Sequence, residues 1–111
     1  MDKINFDDFK KVDIRIGTIK SAEKIPDTDK LLKLKVEFGD GEVRQIVSGI
    51  AESYPDPQEL VGKQSPFVYN LEPRTIRGYE SNGMILGVAG EEFGFVTLAP
   101  SKDVPPGSTL R

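Results

Sequence analysis

Residues 31–47 read LLKLKVEFGDGEVRQIV. Leu32, Leu34, Val36 and Phe38 alternate with Lys33, Lys35 and Glu37, the two-residue period of a strand with one buried and one solvated face. Gly39-Asp40-Gly41 then supplies a tight reversal, because Gly and Asp tolerate positive φ. Val43 to Val47 is a third strand, paired as a hairpin with the second. Arg44, Ile46 and Ser48 share one of its faces, and Gln45 between Val43 and Val47 leaves open which face is buried.

Upstream, Val12, Ile14 and Ile16 alternate with Asp13 and Arg15, and the phase then slips, since the next apolar residue is Ile19. Gly17 stands at the slip and predicts a bulge or bend in a long first strand. Residues 1–11 form a cap with one helical turn, Asp7-Asp8 at its N-terminal end and Lys10-Lys11 at its C-terminal end. Downstream, Asp56-Pro57 reads as an N-cap with its first helical residue and Gly62 as a stop, which predicts one or two short helical turns. A fourth strand runs over 64–71 with Phe67, Tyr69 and Leu71 on one face; Pro66 belongs at its start or on an edge. A fifth runs over 84–89, turns at Gly90-Glu91-Glu92 and continues through 93–98. The tail, with DVPPG at 103–107, is a surface strap.

Three strands, a short helix, then two strands is the order of an all-β OB-fold, a five-stranded Greek-key barrel. The 111 residues suit one domain, with the cap at 1–11, the barrel at 12–89 and a C-terminal extension at 90–111.

Cysteine and histidine are both absent. Disulfides, thiolate chemistry, Cys/His metal sites and histidine acid–base catalysis are thereby excluded. Ser48-Gly49 and Ser81-Asn82-Gly83 have no histidine to activate a hydroxyl, and the glycine spacing fits neither a P-loop nor a dinucleotide fingerprint. We therefore expect no catalytic residue, no metal and no cofactor. No apolar run reaches membrane-spanning length and the N-terminus lacks a signal peptide's apolar region, so a cytoplasmic protein is expected. Net charge is −3, so any polyanion has to meet a local cluster of basic groups.

Residues 70–86, NLEPRTIRGYESNGMIL, supply one. Arg74 and Arg77 suit paired contacts to phosphate or a guanine edge, and their acidic neighbours Glu72 and Glu80 offer only weak exposed ion pairs. Asn70 and Ser81 add hydrogen bonds that can read an unstacked base, and Met84 can pack against one. Lys33 and Lys35 from the second strand and Arg44 and Ser48 from the third complete this outer face. Phe67 and Tyr69 share the face of Leu71 and belong to the core.

NLEPRTIRGYESNGMIL, VSGI at 47–50, DKLLKLKVEFG at 29–39 and FDDFKKVDIRIG at 6–17 together resemble the tRNA-binding domain family. That family includes the C-terminal domain or beta subunit of methionyl-tRNA synthetase and small free-standing dimeric tRNA-binding proteins. The resemblance covers nearly the whole chain in matching order. It departs at Ser65-Pro66, where relatives usually carry aliphatic residues. It implies a barrel that grips the outer corner of tRNA by shape. Asn70, Arg74, Ser81 and Met84 would lie on the binding face, with Lys30, Lys33, Arg44 and Ser48 near it. It also implies a homodimer formed through the terminal segments, with the synthetase catalytic chain as a further partner. CsaA-type secretion chaperones share the fold and size, which makes client binding the alternative. They tend to lack the Ser-x-Gly-Met-Ile-Leu ending present at 81–86.

Overall fold

A computed structural model describes residues 1–111. After a single helical turn, α1 (Phe6–Phe9), come β1 (Ile14–Lys24), β2 (Leu32–Glu37) and β3 (Val43–Ser48). Two 3-10 turns at Ala51–Ser53 and Pro57–Leu60 lead to β4 (Gln64–Val68). The short strands β5 (Arg74–Ile76), β6 (Tyr79–Ser81), β7 (Met84–Ile85), β8 (Gly87–Gly90) and β9 (Gly94–Thr97) follow. The main sheet is antiparallel in the order β3-β2-β1-β4-β7. It curls until the free edge of β3 meets the segment entering β7, where the Asn82 N–H donates to the Gln45 carbonyl at 2.8 Å. This is the expected OB-type barrel. Ile19, Leu32, Leu34, Val36, Ile46 and Phe67 fill it, each without solvent exposure. Ile46 facing inward settles the facing of β3: Arg44 and Ser48 share its side, while Gln45 is across from Lys35 on the outside.

The bulge in β1 is not at Gly17. The register against β2 shifts between Ile19 and Ser21, so the extra residue is Lys20. The apolar slip has a different cause. Ile16 faces out of the barrel and is buried by the C-terminal strap, whereas Ile19 faces in. Ile16 donates to the Ser108 carbonyl at 2.8 Å and accepts from the Gly107 N–H at 2.7 Å. The strap thus lies along the edge of β1 that β2 leaves free. Gly17 is needed for space: a Cβ there would collide with Val36 and come within 2.8 Å of Phe38.

Three further expectations change. Pro66 is the third of five residues in β4, flanked by β1 on one side. Its carbonyl accepts from the Leu86 N–H at 3.0 Å on the other side, so its nitrogen also points there, just beyond the two-residue strand β7. No ladder bond is lost, and the tolerated proline sits mid-strand instead of at the start. β4 ends at Val68, and Leu71, expected beside Phe67, is exposed. The expected strand 84–89 is two: β7 closes the barrel and β8 pairs with β9 in a separate hairpin.

Candidate nucleic-acid interface

Two loops project from one end of the barrel. The 25–31 connection joins β1 to β2, and the hairpin β5–β6 turns through Arg77-Gly78, with φ of 53° and 83°. Positive φ at both central residues is a type I′ turn, whose twist suits a two-residue hairpin. Between them lies an open cleft of about 480 Å³ lined by Asp27, Thr28, Asp29, Lys30, Leu31, Ile76 and Arg77. Lys30, Arg74 and Arg77 are exposed and form no ion pair. Lys33 is held loosely, 3.9 Å from Glu23 and 5.2 Å from the centre of the Tyr79 ring. Met84 is exposed on β7. Ser48 is half-buried opposite Leu32 at the end of β3.

Four other residues expected on this face are bonded within the chain, the first being Lys35, which donates to the Gln45 side-chain oxygen at 2.8 Å. Ser81 is 5% exposed and sits in the barrel seam. Its Oγ accepts from the Val47 N–H at 2.9 Å and lies 3.3 Å from the Gly83 carbonyl. It stands in for a strand partner that β3 lacks. The Asn70 amide accepts from the Asp13 N–H at 2.8 Å and donates to the Lys11 carbonyl at 2.6 Å, which pins the N-terminal segment to the end of β4. Arg44 closes the other end of the barrel. It donates to the Tyr69 carbonyl at 2.6 Å and to Glu42 at 3.1 Å, and its guanidinium stacks 3.6 Å from the Tyr69 ring centre.

Arg15 lies 3.9 Å from the same ring centre. Two guanidiniums at these distances cannot share one face, so Tyr69 is clamped between them. Its hydroxyl donates to Glu42, and its ring meets Phe38 edge-on at 5.1 Å. The bond from Tyr69 holds the Glu42 carboxyl below the usual carboxylate range, with Arg44 adding to the effect. The same bond, and then burial, push the Tyr69 hydroxyl up. Asp13, bonded to the Arg15 guanidinium at 2.9 Å, raises the pKa of that arginine. The hydrogen bonds of both arginines run within the cluster, Arg15 to Asp13 and Arg44 to Glu42 and the Tyr69 carbonyl, so both guanidiniums are committed to holding the barrel's end. Tyr69 is accordingly half-buried at the barrel's end, packed against the core and not inside it.

Sequence reasoning missed Tyr79. The available signal was its position two residues before Ser81 in a strand that follows the Gly78 reversal. Side chains two apart share a side. Since Ser81 points at β3, Tyr79 must also lean over the β2–β3 face.

A closed five-stranded barrel with a cation-bearing cleft between its β1–β2 and β5–β6 loops defines an OB-type domain of the oligonucleotide-binding design. The chain belongs to the family described as "Putative tRNA binding domain", whose profile matches residues 14–109. It is 52% identical over 109 residues to a methionine–tRNA ligase of Flavobacterium johnsoniae and 49% identical over 109 residues to that of Methanococcoides burtonii. These alignments take in 98% of the chain but only 15% and 16% of the ligases. Among solved structures, a MetRS-related protein from Pyrococcus horikoshii superposes with a TM-score of 0.92 at 40% identity, covering 100% of both chains. The chaperone CsaA of Bacillus anthracis superposes at 0.88 with 32% identity, over 99% of this chain and 100% of that one.

Proposed function

We propose that this chain is a non-catalytic tRNA-binding module that recognises shape and backbone charge. The observation that carries the reading is the placement of three unpaired cations at one polar cleft of an acidic chain: Lys30 and Arg77 line it and Arg74 stands on the adjoining strand β5. Unpaired guanidiniums lose no internal partner on meeting phosphate, and Arg suits that contact bidentately. No base-specific set of donors and acceptors accompanies them, so the recognition is largely independent of sequence. The relatives that are methionine–tRNA ligases support a role as an appended domain or a subunit acting with a synthetase catalytic chain, in the cytoplasm. The test is binding of purified protein to mixed tRNA across a salt series. Affinity should fall linearly on logarithmic axes as phosphate contacts release counterions. Salt-independent binding, or none, refutes the reading.

The homodimer belongs to the same proposal. Phe6, Phe9, Val12, Ile14 and Leu110 line an apolar cavity of about 450 Å³ between the terminal segments, and Phe6 is 71% exposed. Covering that surface with a second copy removes it from water. Light scattering should return twice the chain mass, and Phe9→Glu should return the monomer. A client-binding chaperone is the second reading, favoured by the likeness to CsaA and by the same apolar surface. It predicts suppression of aggregation of an unfolded protein without tRNA affinity.

A further inference from the structure

The chain has three tyrosines, and two of them have evident structural employment. Tyr54 exchanges hydrogen bonds with Thr97 and packs against the core, while Tyr69 is clamped by Arg15 and Arg44 and bonded to Glu42. Tyr79 is half-buried, lies outside the core cluster, and its hydroxyl bonds nothing in the chain. Its position is nevertheless fixed from both sides. Ile76, its cross-strand partner, lines the polar cleft. The next two residues are anchored to β3, Glu80 through the Gln45 amide at 2.9 Å and Ser81 through the Val47 N–H at 2.9 Å. The ring thus stands on the same short hairpin as Arg74 and Arg77, on a strand anchored to β3, with the Lys33 ammonium resting on it.

The geometry points to Tyr79 as the stacking platform for one unpaired base of the bound RNA. This rests on the tRNA reading above. An aromatic ring takes any base, since every base has a π-face, so stacking adds affinity for unpaired segments without adding sequence preference. The Lys33 contact is weak at 5.2 Å, and its ion pair to Glu23 is long at 3.9 Å. An arriving nucleotide can therefore take both at once. The base replaces the ammonium on the ring, and the ammonium turns to the phosphate. Unpaired loops would then be favoured over uninterrupted duplex.

The chain contains no tryptophan, so Tyr79→Trp installs a single reporter at the site while keeping an aromatic face. Three ligands separate the outcomes: mixed tRNA, an RNA stem-loop, and a fully paired RNA duplex of equal charge. The tryptophan emission should be quenched by tRNA and by the stem-loop, and not by the duplex. Tyr79→Leu should weaken tRNA binding roughly five- to a hundredfold, the range for loss of one stacked base. Tyr79→Phe should retain it. The salt slope should be unchanged in all three variants, because no charge is altered. Full tRNA affinity in Tyr79→Leu, or an unquenched reporter on tRNA that still binds, overturns the stacking and leaves the tRNA reading intact. A parent protein that binds no tRNA overturns both. Equal weakening in Tyr79→Phe and Tyr79→Leu also counts against stacking and assigns the effect to the hydroxyl.

Discussion

Ser81→Ala separates a seam residue from an RNA contact. In the folded chain the Ser81 hydroxyl accepts from the Val47 N–H at 2.9 Å and has the Gly83 carbonyl within donor range at 3.3 Å. Val47 is 6% exposed and Ser81 5%, so water has little access to the amide once Oγ is removed. A buried donor without a partner costs about 1–3 kcal/mol. The seam has one direct backbone bond nearby, Asn82 to Gln45, to share the load. We therefore expect a loss of about 2 kcal/mol. With a urea slope of about 1–3 kcal/mol per molar for a small domain, the unfolding midpoint should drop by roughly 1 M. The assay is urea unfolding followed by far-UV circular dichroism. Its companion is tRNA affinity measured where the variant is fully folded, which should be unaltered. Stability within about 0.5 kcal/mol of the parent would refute the seam argument, since that is the scatter of surface substitutions. So would a tenfold loss of affinity in the folded variant, which would return Ser81 to the binding face.

Arg74→Ala and Arg77→Ala should each reduce the slope of log affinity against log salt by about 0.7–0.9 for every phosphate left without its cation, with the midpoint of unfolding unmoved; an unchanged slope removes that arginine from the interface. Asn70→Ala breaks both bonds to residues 11 and 13, so hydrogen exchange should speed up across the first dozen residues while tRNA affinity holds. Glu42 has a lowered pKa in the folded chain, so the unfolded chain binds more protons and stability rises with pH through this range. Its contribution is present above the ordinary value of 4.5 and disappears as pH falls through the folded value. Glu42→Gln should therefore flatten the acid limb of a stability–pH curve below about pH 4.5, measured by thermal unfolding; an unchanged limb would mean the Tyr69–Glu42 bond contributes nothing.

The hairpin at 31–47 was legible, save for the facing of β3, because its burial is local. Leu32, Leu34 and Val36 are buried by the same alternation that the sequence prints, and the reversal at 39–41 has the positive φ its residues suggest. The rest of the fold failed to read where burial comes from far along the chain. The slip between Ile16 and Ile19 was misread because Ser108 and its neighbours, some ninety residues later, cover Ile16 on the outer face. Pro66 looked misplaced because β7 is only two residues long and leaves its nitrogen facing no partner. At the proposed site, the exposure of Arg74 and Arg77 could be read from the sequence, whereas the internal bonds of Asn70, Ser81 and Arg44 could not. A sequence shows that a polar side chain is present, and not whether a backbone amide has already claimed it.

That difference has a physical origin in the size of the barrel. A five-stranded sheet closing on itself leaves strand ends and one seam without backbone partners, and every buried N–H or carbonyl there must still be satisfied. Side chains of Ser, Asn and Arg are the available substitutes, and they must stand at the rims, where a ligand would also dock. Polar residues at the edge of a small barrel are therefore ambiguous by construction. Of the chain's 15 basic side chains only Lys11, Arg15, Lys20, Lys33 and Arg44 are ion-paired, so a cation without a carboxylate is common here and its position has to carry the argument. Arg74 and Arg77 are set apart by standing together, unpaired, on one three-residue strand and the turn that follows it. The proposed binding face thus rests on which unmatched charges the fold gathers at one cleft, while polar neighbours such as Ser81 hold the barrel seam beneath it.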